Sequence, residues 1–139
     1  MAPATAVAAA GLLLGSAFVA AWWLIGDLSY RGPSEGGLDY VFESPDISDA
    51  ITTLGGLAGL ALAAIALWTL VVRGNARGPA VILVAAGVLA SLIARMITAG
   101  VIGANIGGAL AMLFGAPAVA LAVLASLWAV ARAARVQRT

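Results

Sequence analysis

GPAVILVAAGVLASLIARMITAGVIGANIGGALAMLFGAPAVALAVLASLWAVA, residues 78–131, decides the fold, and its only charged residue is Arg95. A helix of about 20 apolar residues crosses a bilayer core of about 30 Å. More than fifty such residues therefore cover two crossings. The cluster GVIGANIGG (100–108) divides them, because glycine and asparagine favour a tight turn. The stretch predicts two transmembrane helices, about 79–101 and 106–131, joined as a hairpin.

The same arithmetic applies upstream, where apolar runs extend from about Ala4 to Ile25 and from Ile47 to Val72. The 139 residues are 63% hydrophobic and only 9% charged, with a mean hydropathy of +1.10. Soluble domains carry about a quarter charged residues, so this chain lacks the polar material to cover a soluble surface. The expected fold is an all-α integral membrane protein. One domain, residues 1–139, holds four transmembrane helices (about 4–25, 47–72, 79–101 and 106–131) as an up-down bundle, with a longer loop at 26–44. The first helix is expected to be retained and not removed as a signal peptide: MAPAT carries no positive side chain, the apolar run is long, and no convincing small-x-small site closes it.

Local signals set the joints. Gly26 and Asp27 end the first helix. Ser44-Pro45-Asp46 is placed to open the second, with serine as cap, proline at the first helical position and acids in the first turn. RGNARG (73–78) is a short turn, and Pro79 starts the third helix. Pro117 leaves the carbonyl of Leu113 without its usual donor, which predicts a kink near residues 115–117.

Charge gives orientation. All six acids (Asp27, Glu35, Asp39, Glu43, Asp46 and Asp49) fall between the first helix and the start of the second, joined only by Arg31. Arg73, Arg77, Arg132, Arg135 and Arg138 fall on the other side. The excess of arginine in short cytoplasmic loops puts both termini and RGNARG in the cytoplasm and makes 26–44 an acidic external loop. Trp22 and Trp23 near the outer face, with Trp68 and Trp128 near the inner one, fit an aromatic belt. The expected location is the cell membrane. A lysine-free composition rich in alanine and glycine points to GC-rich codons and a bacterial source.

Missing residue types exclude several chemistries. The chain has no histidine and no cysteine, which removes haem ligation, dithiol redox chemistry and thiolate or imidazole metal sites. Without lysine no Walker loop can be completed. Small multidrug-resistance transporters share the size and helix number, but their mechanism needs an acid inside the first helix, and here that helix is uncharged. No catalytic residue, cofactor, metal site or nucleic-acid partner is expected. The outer acids lack a recognisable ligand spacing for a divalent cation.

Two features remain. In lipid, small residues four apart mark faces where helices approach closely. Such stripes are Gly11 and Gly15 on the first helix, Gly55 and Gly59 on the second, Gly87 and Ser91 on the third, and Gly107, Ala111 and Gly115 on the fourth. They serve packing within one chain, or, on the fourth helix, contact with another subunit. The second feature is Arg95 itself. Fifteen residues beyond Ala80 it stands about 22 Å along the helix, in the outer third of the membrane. At a helix centre a charge costs about 2.5–3.5 kcal/mol on insertion scales. Gly87, Ser91 and Arg95 share a face, so the arginine should point into the bundle. Its expected partner is Asp49, with Asp46 and Asp27 next, and Gly56 level with it to leave room for a guanidinium. The alternative use of Arg95 is an anion or lipid-headgroup site, or one wall of a pathway.

These features predict a small non-catalytic membrane component, a subunit acting by helix association and contact through its external loop. The alternative is a small oligomeric transporter, channel or lipid-handling protein with Arg95 facing a polar site. The expected partners are the lipid bilayer and either further copies of the chain or a larger membrane complex.

Overall fold

A computed structural model describes residues 1–32, 38–43, 46–101 and 105–136. Four helices dominate it: α1 (Pro3–Ile25), α2 (Asp49–Arg73), α3 (Arg77–Thr98) and α4 (Ile106–Val136), each long and apolar enough to span a membrane. Hydrocarbon offers no partner to an unpaired backbone amide, so a crossing chain satisfies its own hydrogen bonds as a helix. Alanine and leucine, which lose little on entering a helix, supply much of each segment.

The helix ends differ from the sequence expectation where tertiary bonds take over. α2 starts at Asp49, two residues late. The carbonyl of Ser48 accepts both the Thr52 amide (3.0 Å) and the Thr52 hydroxyl (3.1 Å), which fixes the first turn there. Ser44 and Pro45, expected as cap and first helical residue, lie outside the described residues. α3 begins earlier, at Arg77, and stops at Thr98, three residues early. Asn105 accounts for that stop. Its amide donates to the carbonyls of Met96 and Ala99, both at 3.0 Å, while its side-chain oxygen accepts from the Gly108 amide at 2.7 Å. One side chain thereby closes the C-terminus of α3 and caps the N-terminus of α4.

Two π-helical turns interrupt the regular pattern, at Thr69–Arg73 and Ala111–Gly115. The second stands just before Pro117, where a kink is expected. The Ala116 amide reaches back to the Ala111 carbonyl, so the chain meets the missing proline donor by widening the preceding turn. Nothing in the residue pattern announces the first.

α1 packs against each of the other three helices, and α3 packs against α4. At one end the start of α1, the end of α2, the start of α3 and the end of α4 share a core that includes Ala10, Leu13, Leu70, Ala80, Leu83 and Val130. This end carries Arg73, Arg77, Arg132 and Arg135. The Arg73 and Arg132 guanidiniums each lie 5.3 Å from the ring centre of Trp68 and Trp128, and both tryptophans are exposed.

Small residues decide how close the helices come, but not all the stripes are used. A Cβ on Gly87 would stand 2.8 Å from the Leu14 carbonyl oxygen and 2.9 Å from the Ala17 Cβ. One on Gly59 would stand 2.9 Å from the Ser16 carbonyl oxygen. α1 is thus clamped between the glycine faces of α3 and α2. Gly11 and Gly15 have nothing within 4 Å and, with Gly55, line an open groove on the surface of α1 and α2. On α4, Gly115 meets Ile93 of α3 and Gly107 faces Met96, so that stripe is directed at its own chain. Ser91 is fully buried, but its hydroxyl finds no hydrogen-bond partner among the described residues. An unmade buried hydrogen bond costs about 1–3 kcal/mol. Ser91→Ala should therefore leave the melting temperature in detergent unchanged or raise it; a clear drop would show that the hydroxyl is in use.

Candidate binding cavity at the acidic end

Arg95 stands one turn before the end of α3 and is 9% exposed. Its Nε and Nη2 donate to the carbonyl of Trp22 at 3.1 and 2.7 Å, and its guanidinium lies 3.8 Å from the centre of the Trp22 ring. The Trp22 carbonyl belongs to the last turn of α1, where the helix dipole is negative, and from the backbone it accepts only the long bond of the Gly26 amide at 3.4 Å. The guanidinium from α3 adds two shorter bonds to the same oxygen. Phe18 stacks on Trp22 from one turn earlier, with ring centres 6.0 Å apart, and steadies the platform.

The expected ion pair with Asp49 is not what holds the arginine: among the described residues no acid lies within 4.0 Å of the guanidinium, and its hydrogen bonds go to Trp22. The physical reason is what stands next to it. The last turn of α1 lies beside Arg95, and its Trp22 carbonyl and ring take the guanidinium at 2.7–3.8 Å, nearer than any described acid. Nor does Gly56 make room for a guanidinium. The Trp23 side chain occupies that space, so any Cβ on Gly56 would collide with it. Trp22 and Trp23 are half-buried and face inward, in place of the aromatic belt expected of them.

Asp27, Asp46, Asp49 and Arg95, the four charged residues singled out in the sequence, do come together. They line one cavity of 550 Å³ at the acidic end, bounded by the end of α1, the start of α2, the end of α3 and the loop between α1 and α2. Thr52, Thr53 and Thr98 add hydroxyls to the wall, and Glu43, Arg31 and Tyr40 reach it from the loop. Asp27 accepts the Ser29 amide at 2.9 Å. Its hydrogen bonds from Ser29, aided by the nearby Arg31 and Arg95, hold its carboxyl below the ordinary carboxylate range. Asp27 is therefore charged at neutral pH and is the acid whose field acts on Arg95.

The loop forms the cavity's cover by backbone pairing, which the sequence did not reveal. The Tyr30 amide donates to the Gly100 carbonyl (2.7 Å), Asp39 and Val101 exchange two bonds (2.9 and 3.1 Å), and the Phe42 amide reaches the Ile97 carbonyl (3.3 Å). The Gly100 amide donates to the Ser29 hydroxyl at 2.9 Å. A Cβ on Gly100 would collide with the ring edge and hydroxyl of Tyr40. Residues 97–101 thus serve as a docking strip for the loop, and α3 stops within it, at Thr98. Glu35 lies outside the described residues. The lone asparagine within GVIGANIGG was the one sequence signal for this junction.

Among the described residues the acids do not converge as a group that could hold a metal ion. They are spread around the mouth of the cavity, while Arg95 sits at its floor. Of the five N–H donors of a guanidinium, two are directed at Trp22, and the other three have no acceptor among the described residues. Comparison with known proteins finds no match, whether among family models, curated proteins or solved structures. Function must therefore be read from the cavity itself.

Proposed function

We propose that the chain is a non-catalytic multi-pass protein of the cell membrane that binds a small polar ligand in a cavity open to the outside. The up-down bundle has both termini and the arginine end in the cytoplasm, and the acidic end and the 26–44 loop outside. The arginine asymmetry supports that orientation. The observation that carries the binding role is Arg95: a charge within a membrane-spanning helix, buried at the floor of a 550 Å³ cavity, with no ion pair to an acid among the described residues. Small-molecule sites commonly have volumes of about 300–1,000 Å³. The opposite end of the bundle is filled by Leu13, Leu70, Leu83 and Val130, each no more than 1% exposed. That plug favours binding over conduction through a single chain, since a pathway needs polar groups along its whole length.

The chain has no cysteine, so single cysteines report orientation directly. Thr53→Cys, on the cavity wall, and Ser34→Cys, in the loop, should react with an impermeant thiol reagent on intact cells. Asn75→Cys should react only after permeabilisation. Reaction of Asn75→Cys on intact cells would reverse the assignment. Binding is tested by purifying the protein in mild detergent and identifying co-purified small molecules and lipids. A ligand retained by the native chain and lost with Arg95→Leu supports the proposal.

A second reading, an accessory subunit, rests on α4. Only 6% of its most apolar stretch is buried within the chain, and Leu113, Phe114, Leu121 and Leu124 all face outward. Lipid covers such a face in a lone protein, and a partner helix covers it in a complex. A defined membrane protein recovered with the chain in place of a small ligand would decide for the subunit.

A further inference from the structure

We propose that the cavity takes a bipolar ligand, with a carboxylate or phosphate against Arg95 at the floor and an ammonium group among the carboxylates at the mouth. This rests on the binding role proposed above and names the ligand class for it. Arg95 presents three N–H donors without protein acceptors among the described residues, and a guanidinium matches a carboxylate or phosphate through paired hydrogen bonds. The stack on Trp22 fixes the plane of that fork before any ligand arrives. The mouth has the opposite character. Glu43, Asp46 and Asp49 are exposed there, with no ion pair among the described residues. Four acids and two arginines line the cavity, a formal balance of −2.

That arrangement discriminates. A simple anion must pass carboxylates to reach the floor, and a simple cation leaves the Arg95 donors unfilled. Like charges in a site count against a ligand as strongly as opposite charges favour one. Only a molecule carrying both signs satisfies floor and mouth together. Trp23 and Tyr40 on the wall add aromatic surface suited to an ammonium group. Two sources share this chemistry: a free amino acid or phosphoethanolamine entering from water, and the headgroup of an ethanolamine phospholipid entering from the bilayer.

The test is a titration of the full chain in detergent, read by tryptophan fluorescence, since Trp22 and Trp23 line the cavity. Glycine and phosphoethanolamine should bind saturably, and about tenfold or more tightly than ethylamine or inorganic phosphate alone. Arg95→Lys and the surface pair Asp46→Asn/Asp49→Asn should each weaken that binding about tenfold. The double variant alters only exposed side chains, so it remains informative even if Arg95→Lys folds poorly. Nanodiscs of ethanolamine and of choline phospholipids separate the sources. Competition by the ethanolamine lipid but not the choline lipid assigns the headgroup, and competition by neither assigns the free solute. Equal binding of ethylamine or phosphate alone would overturn the bipolar ligand while leaving the binding role standing. No binding by any of these probes, in detergent or nanodiscs, would overturn both.

Discussion

Replacing Gly87 by leucine should remove a large part of the protein's stability in detergent, whereas the same change at Gly11 should leave it almost intact. Both glycines belong to small-residue stripes of the same spacing. A Cβ on Gly87, however, would press on the Leu14 carbonyl oxygen, the Ala17 Cβ and the Phe18 amide nitrogen, at 2.8, 2.9 and 3.1 Å. Two of these are backbone atoms of α1, which cannot swing aside as the end of a flexible side chain does. α3 would have to back away from α1, opening the contact along its length. Overpacking of this kind costs about 1–3 kcal/mol, and a full leucine against backbone belongs at the upper end, a fall in melting temperature of roughly 10 °C. Gly11 has nothing within 4 Å. A leucine there projects into lipid, and the change should stay within about 0.5 kcal/mol. Thermal unfolding followed by size-exclusion of the detergent complex measures both. Equal effects at the two positions would mean that the α1–α3 contact is wrong, or that Gly11 packs against another chain.

The second large effect is a coupling. A double-mutant cycle of Arg95→Leu and Trp22→Leu should show an interaction of about 1–2 kcal/mol, because a desolvated cation over an indole ring is worth that much. The Trp22 carbonyl survives in Trp22→Leu, so the cycle isolates the ring. The matching cycle of Arg95→Leu with Asp49→Leu should be additive to within about 0.5 kcal/mol, since no ion pair joins them. Strong coupling to Asp49 with none to Trp22 would restore the acid as the partner and remove the aromatic platform. Arg95→Leu alone is the less informative measurement. It abolishes the cost of burying a charge together with the bonds that offset it, so its net effect understates both.

Much of the architecture was legible in composition and spacing. Four apolar runs of spanning length, interrupted by Gly-Asp, RGNARG and the Gly/Asn cluster, could hardly form anything but membrane helices, because the bilayer imposes one length and one backbone solution. The solitary Arg95 and the acids gathered between α1 and α2 were equally visible, and four of those acids (Asp27, Glu43, Asp46 and Asp49) do line a common cavity with Arg95. These properties are local: each depends on the residue type and its place along a single helix or loop.

What the tertiary structure alone decided was which partner each group meets. Arg95 could have reached Asp49 or the end of α1, and the carbonyl and ring of Trp22, placed beside it by the packing of α1 on α3, selected the latter. Gly56 was reserved for Trp23, Gly87 and Gly59 were used for contact, and Gly11 and Gly15 were left facing outward. Residues 99–101 left α3 because the loop pairs with them and Asn105 closes the helix end. A small-residue stripe states that a close approach is permitted; which helix approaches is set by the rotation of each helix about its axis. That rotation emerges from all the contacts at once, so no single segment of the chain records it.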